Sequence, residues 1–349
     1  MKTIYLRPLY FILLIFILNA CSTPRMFTTL DVLRPADVTF QPEVQSVLIV
    51  NNSVVQPENV GHYSITSYAT IKNPVSLSLK FDSAALFCAA SLRENLEAKE
   101  FFSSVSMSQT NMNSTDNFYK LTPLSKQTVK FLCGLYKSDA VISLDHIQTT
   151  DNLVRSTDDY KSALDVKIDT KWTIHYPTDS VSIFKEFTDE FSWEEADVKN
   201  LPNRYDALVD ACILAGSNIS DRMIPRWNKE ERYFYTPKKA LFVQAMDSVT
   251  YRNWPAAIEL WEKASSLSKN QSTRFHAFNN IAIAYEIAGN LDKALFYASK
   301  AIETYPYIIV FSTSSAEEIF NMLEYYEVLK QRKEDAKLLD KQLNNWLTD

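Results

Sequence analysis

Apolar residues fall along this chain in three textures, and each predicts a different kind of element. Residues 11–18 are one unbroken apolar run. Residues 44–223 mix solid apolar runs, period-two alternation and helix-spaced segments. From about Thr236 onward only helical spacing remains, with alanines recurring at regular intervals.

In the middle texture, Val47-Leu-Ile-Val50, closed by Asn51-Asn52-Ser53, predicts a buried central strand with a turn at its end. Residues 54–80 are polar and irregular, with Pro57, Gly61 and Pro74, and predict an insertion or long loop. Asp82 or Ser83 caps a helix over about 84–99, with Ala85, Cys88, Leu92 and Leu96 on one face. Val105 and Met107 mark a short strand. A second helix starts at Ser125, with Val129, Leu132, Cys133 and Tyr136 together, and Val141, Ile142 and Leu144 form the next strand.

The clearest β signal covers residues 163–193. Leu164, Val166, Ile168, Trp172 and Ile174 alternate with Asp165, Lys167, Asp169, Lys171 and His175. Residues 177–180 turn the chain, and the return arm places Val181, Ile183, Phe187, Phe191 and Trp193 on one side. Such alternation means that one face packs and the other meets water. His175 falls on the polar side and reads as a solvated surface residue. A helix over 204–223, ended by Pro225, completes this half.

In the third texture, Phe278, Ile281, Ala282 and Tyr285 lie on one helix, Gly289-Asn290 makes a turn, Ala294, Ala298 and Ala301 lie on a second helix, and Pro306 closes the unit. These positions resemble the 34-residue tetratricopeptide (TPR) repeat, whose small residues let paired helices approach. Leu241, Ala245, Ala257, Trp261 and Ala264 fit an earlier unit. Phe320, Leu323 and Ala336 fit a third, at about 316–346, as a terminal cap. The fold class expected is α+β: an N-terminal α/β sandwich, a sheet with packed helices, followed by an all-α TPR-like repeat domain. The expected divisions are a signal peptide at 1–20, a tether at 21–43, the α/β domain at 44–232 and the repeats at 236–349.

Lys2 and Arg7 precede the first apolar run, and Leu18-Asn-Ala-Cys21 follows it. That order is a secretory signal, too short to span a bilayer comfortably. It resembles a bacterial lipoprotein signal, which implies lipidation of Cys21. Taken whole, the chain resembles an uncharacterised lipoprotein family of Bacteroidetes with an α/β domain and C-terminal TPR repeats. The resemblance implies a lipid anchor in the outer membrane. With no acidic run directly after Cys21, it implies a periplasm-facing protein.

Charge and composition narrow the function. Net charge is −6, and removing residues 1–20 takes away two positive charges and no negative one, giving −8. An acidic chain is a poor match for nucleic acid, whose phosphates need a basic face. The four glycines, Gly61, Gly134, Gly216 and Gly289, lie far apart, which argues against a phosphate-cradling loop. His62, His146, His175 and His276 show no metal-ligand spacing, and no cofactor or metal is expected. The acidic group Glu186, Asp189, Glu190, Glu194, Glu195 and Asp197 reads as a solvated edge. With Cys21 lipidated, Cys88, Cys133 and Cys212 remain, most simply as small buried residues.

The expected function is therefore that of a non-enzymatic adaptor or assembly factor of the cell envelope. It would bind a protein or peptide partner on the first helices of its repeats. The groove candidates are Phe242, Met246 and Val249 in the first unit and His276, Asn279, Ile283 and Glu286 in the second. The alternative is a glycan- or small-ligand-binding lipoprotein using the α/β domain, with Tyr63, Tyr68, Trp172 and Trp193 as candidates. A hydrolase built on Glu186 and Glu190 is a third reading.

Overall fold

In a computed structural model, residues 23–68, 71–113, 115–156, 161–178, 181–304 and 313–343 are described. Cys21, the signal, Pro306, part of the 177–180 turn and the end of the third unit lie outside them. The chain divides into two compact units, one built on Ala36–Arg226 and the other on the stretch up to Pro35 with Trp227–Asp340.

The first unit holds a seven-stranded mixed sheet. Its axis is the long strand β6 (Ala140–Ser156). One edge of β6 pairs antiparallel with β7 (Ser162–His175), which pairs with β8 (Ile183–Glu195). The other edge is shared by two parallel strands. Residues 140–144 pair with β2 (Ser46–Asn51), and residues 151–156 pair with β3 (His62–Tyr68). Beyond β2 lies the parallel β5 (Ser104–Met107), and beyond β3 the antiparallel β4 (Ile71–Ser76).

Helices α1 (Ala84–Ala98) and α3 (Arg204–Met223) cover one face and close the main core on Ile49, Ile142, Trp172 and Ile174. Helix α2 (Lys126–Tyr136) covers the other with Val129, Leu132 and Cys133 against Leu48, Val50 and Val141. Ser125 caps α2 by accepting the Thr128 amide, and Asn203 caps α3 by accepting that of Asp206. α1 and α3 pack closely at Gly216, where a Cβ would stand 2.3 Å from the Cys88 carbonyl oxygen. Cys88, Cys133 and Cys212 are free, buried thiols.

Two expectations in this unit are corrected. Residues 54–80 are not all loop, since they contain the β3–β4 hairpin. Its residues are polar because β4 ends the sheet, and an edge strand accepts Pro74. His175 is buried rather than solvated. The alternation seen at 164–171 stops at the end of β7, where Thr173, Ile174 and His175 are all buried.

The second unit begins with a two-stranded sheet of β1 (Arg25–Arg34) and β9 (Arg226–Tyr235). The tether expected at 21–43 is therefore corrected. Thr28, Leu30 and Val32 turn inward along β1, and Ala36 and Val38 beyond it are core residues. By its contacts the chain divides between 226 and 227.

Among the described residues five helices follow: α4 (Ala240–Thr250), α5 (Trp254–Leu267), α6 (Gln271–Ile287), α7 (Leu291–Glu303) and α8 (Thr313–Leu343). From α4 to α7 each packs on the next. Asparagines start three of them: Asn253, Asn270 and Asn290 accept the amides of Ala256, Thr273 and Lys293. The described part of the third unit expected at about 316–346 lies within a single helix. No glycine or proline breaks the sequence of α8, and Phe320 and Leu323 on it are exposed.

Candidate functional site

Glu286 organises the second unit. It sits on α6, is 1% exposed, and its carboxylate meets three partners. The Arg232 guanidinium of β9 reaches it through Nε and Nη2, both at 2.9 Å. Arg332 of α8 reaches Oε1, and the Tyr325 hydroxyl donates to Oε2 at 2.8 Å. A buried carboxylate is tolerable only with such compensation. The network continues outward. Glu230 accepts from Arg232 at 2.9 Å and from Arg34 of β1, and Arg34 donates to Asp335 at 2.8 Å.

The charges respond accordingly. Burial works against the Arg232 cation, but Glu286 outweighs it and holds the guanidinium above its ordinary pKa. Burial, then the Glu286 charge, pushes the Tyr325 hydroxyl well up. Burial opposes ionisation of Glu230, yet Arg34 and Arg232 keep its carboxyl below the usual value.

α6 also grips β9 through side chains. Asn280 accepts the Tyr235 amide and donates to the Tyr235 carbonyl, each at 2.8 Å. Asn279 donates to the Tyr233 carbonyl at 3.3 Å. The His276 ring lies 4.1 Å from that of Tyr235 and contacts Glu318 at 3.2 Å. Phe234 stacks on Trp261 at 5.6 Å.

These contacts decide the fate of the groove candidates. Phe242, Val249, His276, Asn279, Ile283 and Glu286 are buried, and Met246 is partly so. They do not line an open groove. On α6 these side chains meet β9 of the same chain. What remains beside it is a cavity of about 260 Å³, walled by Tyr233, Asn279, Ile283, Asn321, Tyr325 and Val328. The exposed carboxylates Glu231 and Glu324 also line it, as does Arg232. Of the candidates, Asn279 and Ile283 reach this cavity. Sequence reasoning missed Tyr233, Asn321, Glu324 and Tyr325. Their only signal was the aromatic run at 233–235, which the highly charged stretch before it obscured.

In the first unit the ligand candidates are structural. Trp172 is fully buried, and Trp193 packs against the core. Tyr63 is half-buried, with its carbonyl accepting from Arg204 at 2.7 Å. The side chain of Tyr68 lies outside the described residues. His62 opens β3 as a buried partner of Asp151, which also accepts from Arg204 Nε. Glu186 and Glu190 are exposed, Glu186 with Lys171 at 3.0 Å, whereas Asp189 turns inward to Arg222 and Asn218. Among the described residues no cluster of three or more His, Cys, Asp or Glu side chains is placed to hold a metal ion. No described helix is long and apolar enough to cross a membrane.

Comparison with known proteins gives families without activities. Residues 44–235 match a domain of unknown function (DUF8603), and residues 243–331 match a second one (DUF6340). No curated protein matches the chain. A solved structure titled "Crystal structure of uncharacterized protein" is similar over 51% of this chain and 88% of its own, with 15% identity and a TM-score of 0.25.

Proposed function

We propose, for a chain that belongs to the family defined by the domain of unknown function DUF8603, a role as a lipid-anchored envelope protein. Its helical unit binds a protein partner. The anchor is Cys21, read from the basic start, the apolar run and the lipobox-like ending. The side of the membrane favoured is the periplasmic face of the outer membrane. The helical unit is read as TPR-like from its alanine spacing and asparagine-capped helices.

The observation that carries the binding role is the cavity between β9, α6 and α8. Its walls combine two aromatic rings, two side-chain amides and branched apolar groups, with carboxylates at Glu231 and Glu324 and with the Arg232 guanidinium already paired to Glu230 and Glu286. Such a mixture suits a long side chain with an apolar stem and a cationic head. The partner is therefore a protein segment that presents lysine or arginine, held by contacts that salt weakens.

A photo-crosslinking residue at position 321 of the full chain, in intact envelopes, tests this. One discrete protein adduct is expected from position 321 and none from position 263 on the exposed side of α5. Glu231→Lys with Glu324→Lys should remove it. No adduct, or equal adducts from both positions, would end the reading.

A further inference from the structure

The first unit contains a chain of polar side chains that crosses its sheet and ends at a cavity. It starts at Asn52, just past the end of β2, whose amide donates to Asp145 Oδ1 at 2.7 Å. Asp145 sits at a bulge in β6, between the paired residues Leu144 and His146. A bulge re-aims the side chain at its position. The Asp145 carboxylate also accepts from Ser143 at 2.9 Å and from Thr173. Ser143 Oγ lies 3.2 Å from His175 Nε2, and His175 Nδ1 lies 2.9 Å from Ser182 Oγ. Asn52, Asp145, Ser143 and His175 are all buried, whereas Ser182 is exposed.

Hydrogen-bond logic orients this chain. A carboxylate only accepts, so Ser143 gives its proton to Asp145. The Ser143 oxygen then takes the proton of His175 Nε2. That leaves the lone pair on Nδ1 facing the Ser182 hydroxyl. A serine hydroxyl pointed at the free nitrogen of an imidazole, itself held from behind, is the arrangement that activates a nucleophile.

The cavity at this end measures about 370 Å³. Leu124, Val129 and Phe184 supply apolar wall, Ser182 and His175 a polar one, and Lys126 of α2 a positive charge. By the pairing register, His175 stands beside Val141 of β6, level with Leu48 of β2.

We propose that Ser182 is a nucleophile, with His175 as its base, toward small carboxylic esters that carry an apolar acyl chain. The inference goes beyond the partner-binding reading and does not rest on it. Ser182 Oγ forms a bond to the ester carbonyl carbon while its proton moves to His175 Nδ1. The C–O bond to the alcohol breaks, and the leaving oxygen takes that proton. Water then attacks the acyl-serine, gives a proton to Nδ1, and releases the carboxylic acid as Ser182 regains its own. Ser143 and Asp145 are positioning residues. Burial lowers the His175 pKa, and Asp145 partly restores it, so the ring is a neutral base at pH 7. The other titratable groups at this cavity are Lys126 and Tyr176.

An alkyl fluorophosphonate tests the proposal on the full chain. Its P–F bond breaks as Ser182 Oγ binds phosphorus, fluoride leaves, and the proton goes to His175. Mass spectrometry should find the adduct on Ser182, with none there in Ser182→Ala. His175→Gln, checked for folding by circular dichroism, should slow labelling by about a hundredfold or more. The wild-type labelling rate should rise with pH and level off once the imidazole is neutral, and Asp145→Asn should shift that profile. Turnover of p-nitrophenyl butyrate should follow the same variants. An unlabelled Ser182 in folded wild type, or labelling at equal rate in His175→Gln, would overturn it. Ser182→Ala alters only an exposed hydroxyl, so its result does not depend on whether the His175 variant folds.

Discussion

Asn280 treats Tyr235 as a neighbouring strand would. Its side-chain amide accepts from the Tyr235 N–H and donates to the Tyr235 C=O, both at 2.8 Å. A helix thereby satisfies the backbone of a strand that would otherwise be buried with its polar groups unpaired. Asn280→Ala should cost about 2–4 kcal/mol, because two buried backbone groups lose their partners. Asn280→Asp should cost more, since a carboxylate oxygen then faces the Tyr235 carbonyl. Urea unfolding followed by tyrosine and tryptophan fluorescence would measure both, and the order Asp worse than Ala is the specific expectation.

Glu286 offers a second test. In Glu286→Gln the geometry survives but Arg232 and Arg332 lose the negative charge between them. Breaking a buried pair from one side typically costs about 3–5 kcal/mol. A loss of that size in urea is expected, whereas a loss under about 1 kcal/mol would mean that water already reaches the pair.

Gly216 is a question of space alone. A Cβ there would meet the Cys88 carbonyl oxygen at 2.3 Å and the Ser91 Cβ at 2.8 Å. The obstacle is backbone, so α1 and α3 must separate. Gly216→Ala should therefore destabilise by about 1–3 kcal/mol, although alanine is the better helix former. A thermal melt showing equal or higher stability would contradict the close approach of these helices.

Acid should weaken both units. Desolvation opposes ionisation of the half-buried Glu230 and, at the surface, of Asp139, but their donors win and hold both carboxyls below the ordinary values of 4.5 and 3.8. For Glu230 the donors are Arg34 and Arg232. For Asp139 they are the Ser46 hydroxyl and the amides of Gln45 and Ser46. A lowered folded-state pKa contributes stability that is fully present above the unfolded value and is lost as pH falls through the folded one. The unfolding midpoint should begin to fall below about pH 6.5, where the buried His146 and His175, held below their ordinary value, take up protons more readily in the unfolded chain, and fall further below about pH 5 as the carboxyls are protonated. Glu230→Gln should flatten part of the decline.

The local elements were largely legible in the residues. Apolar spacing marked the strand at 46–51, the helices at 84–98, 126–136 and 204–223, and both arms of the β7–β8 hairpin. Caps such as Ser125 and Asn290 could be recognised because they act within a few residues. The misses share a cause. β1 and β9 pair across most of the sequence, and their charged residues, Arg34, Glu230 and Arg232, are accommodated by partners on other elements. Taken locally, such stretches look like tether or surface.

Residue order by itself thus determined the apolar faces, the turns, the change from a mixed half to a helical one, and the basic-apolar-cysteine start. Those depend on short-range periodicity, which every segment carries within itself. Only the tertiary structure decided which polar groups are buried together. Asn280 meets Tyr235 over a separation of 45 residues, and Ser143 meets His175 over 32. The physical reason is that a polar side chain is worth burying only where its partner waits, and no local pattern encodes that partner's place.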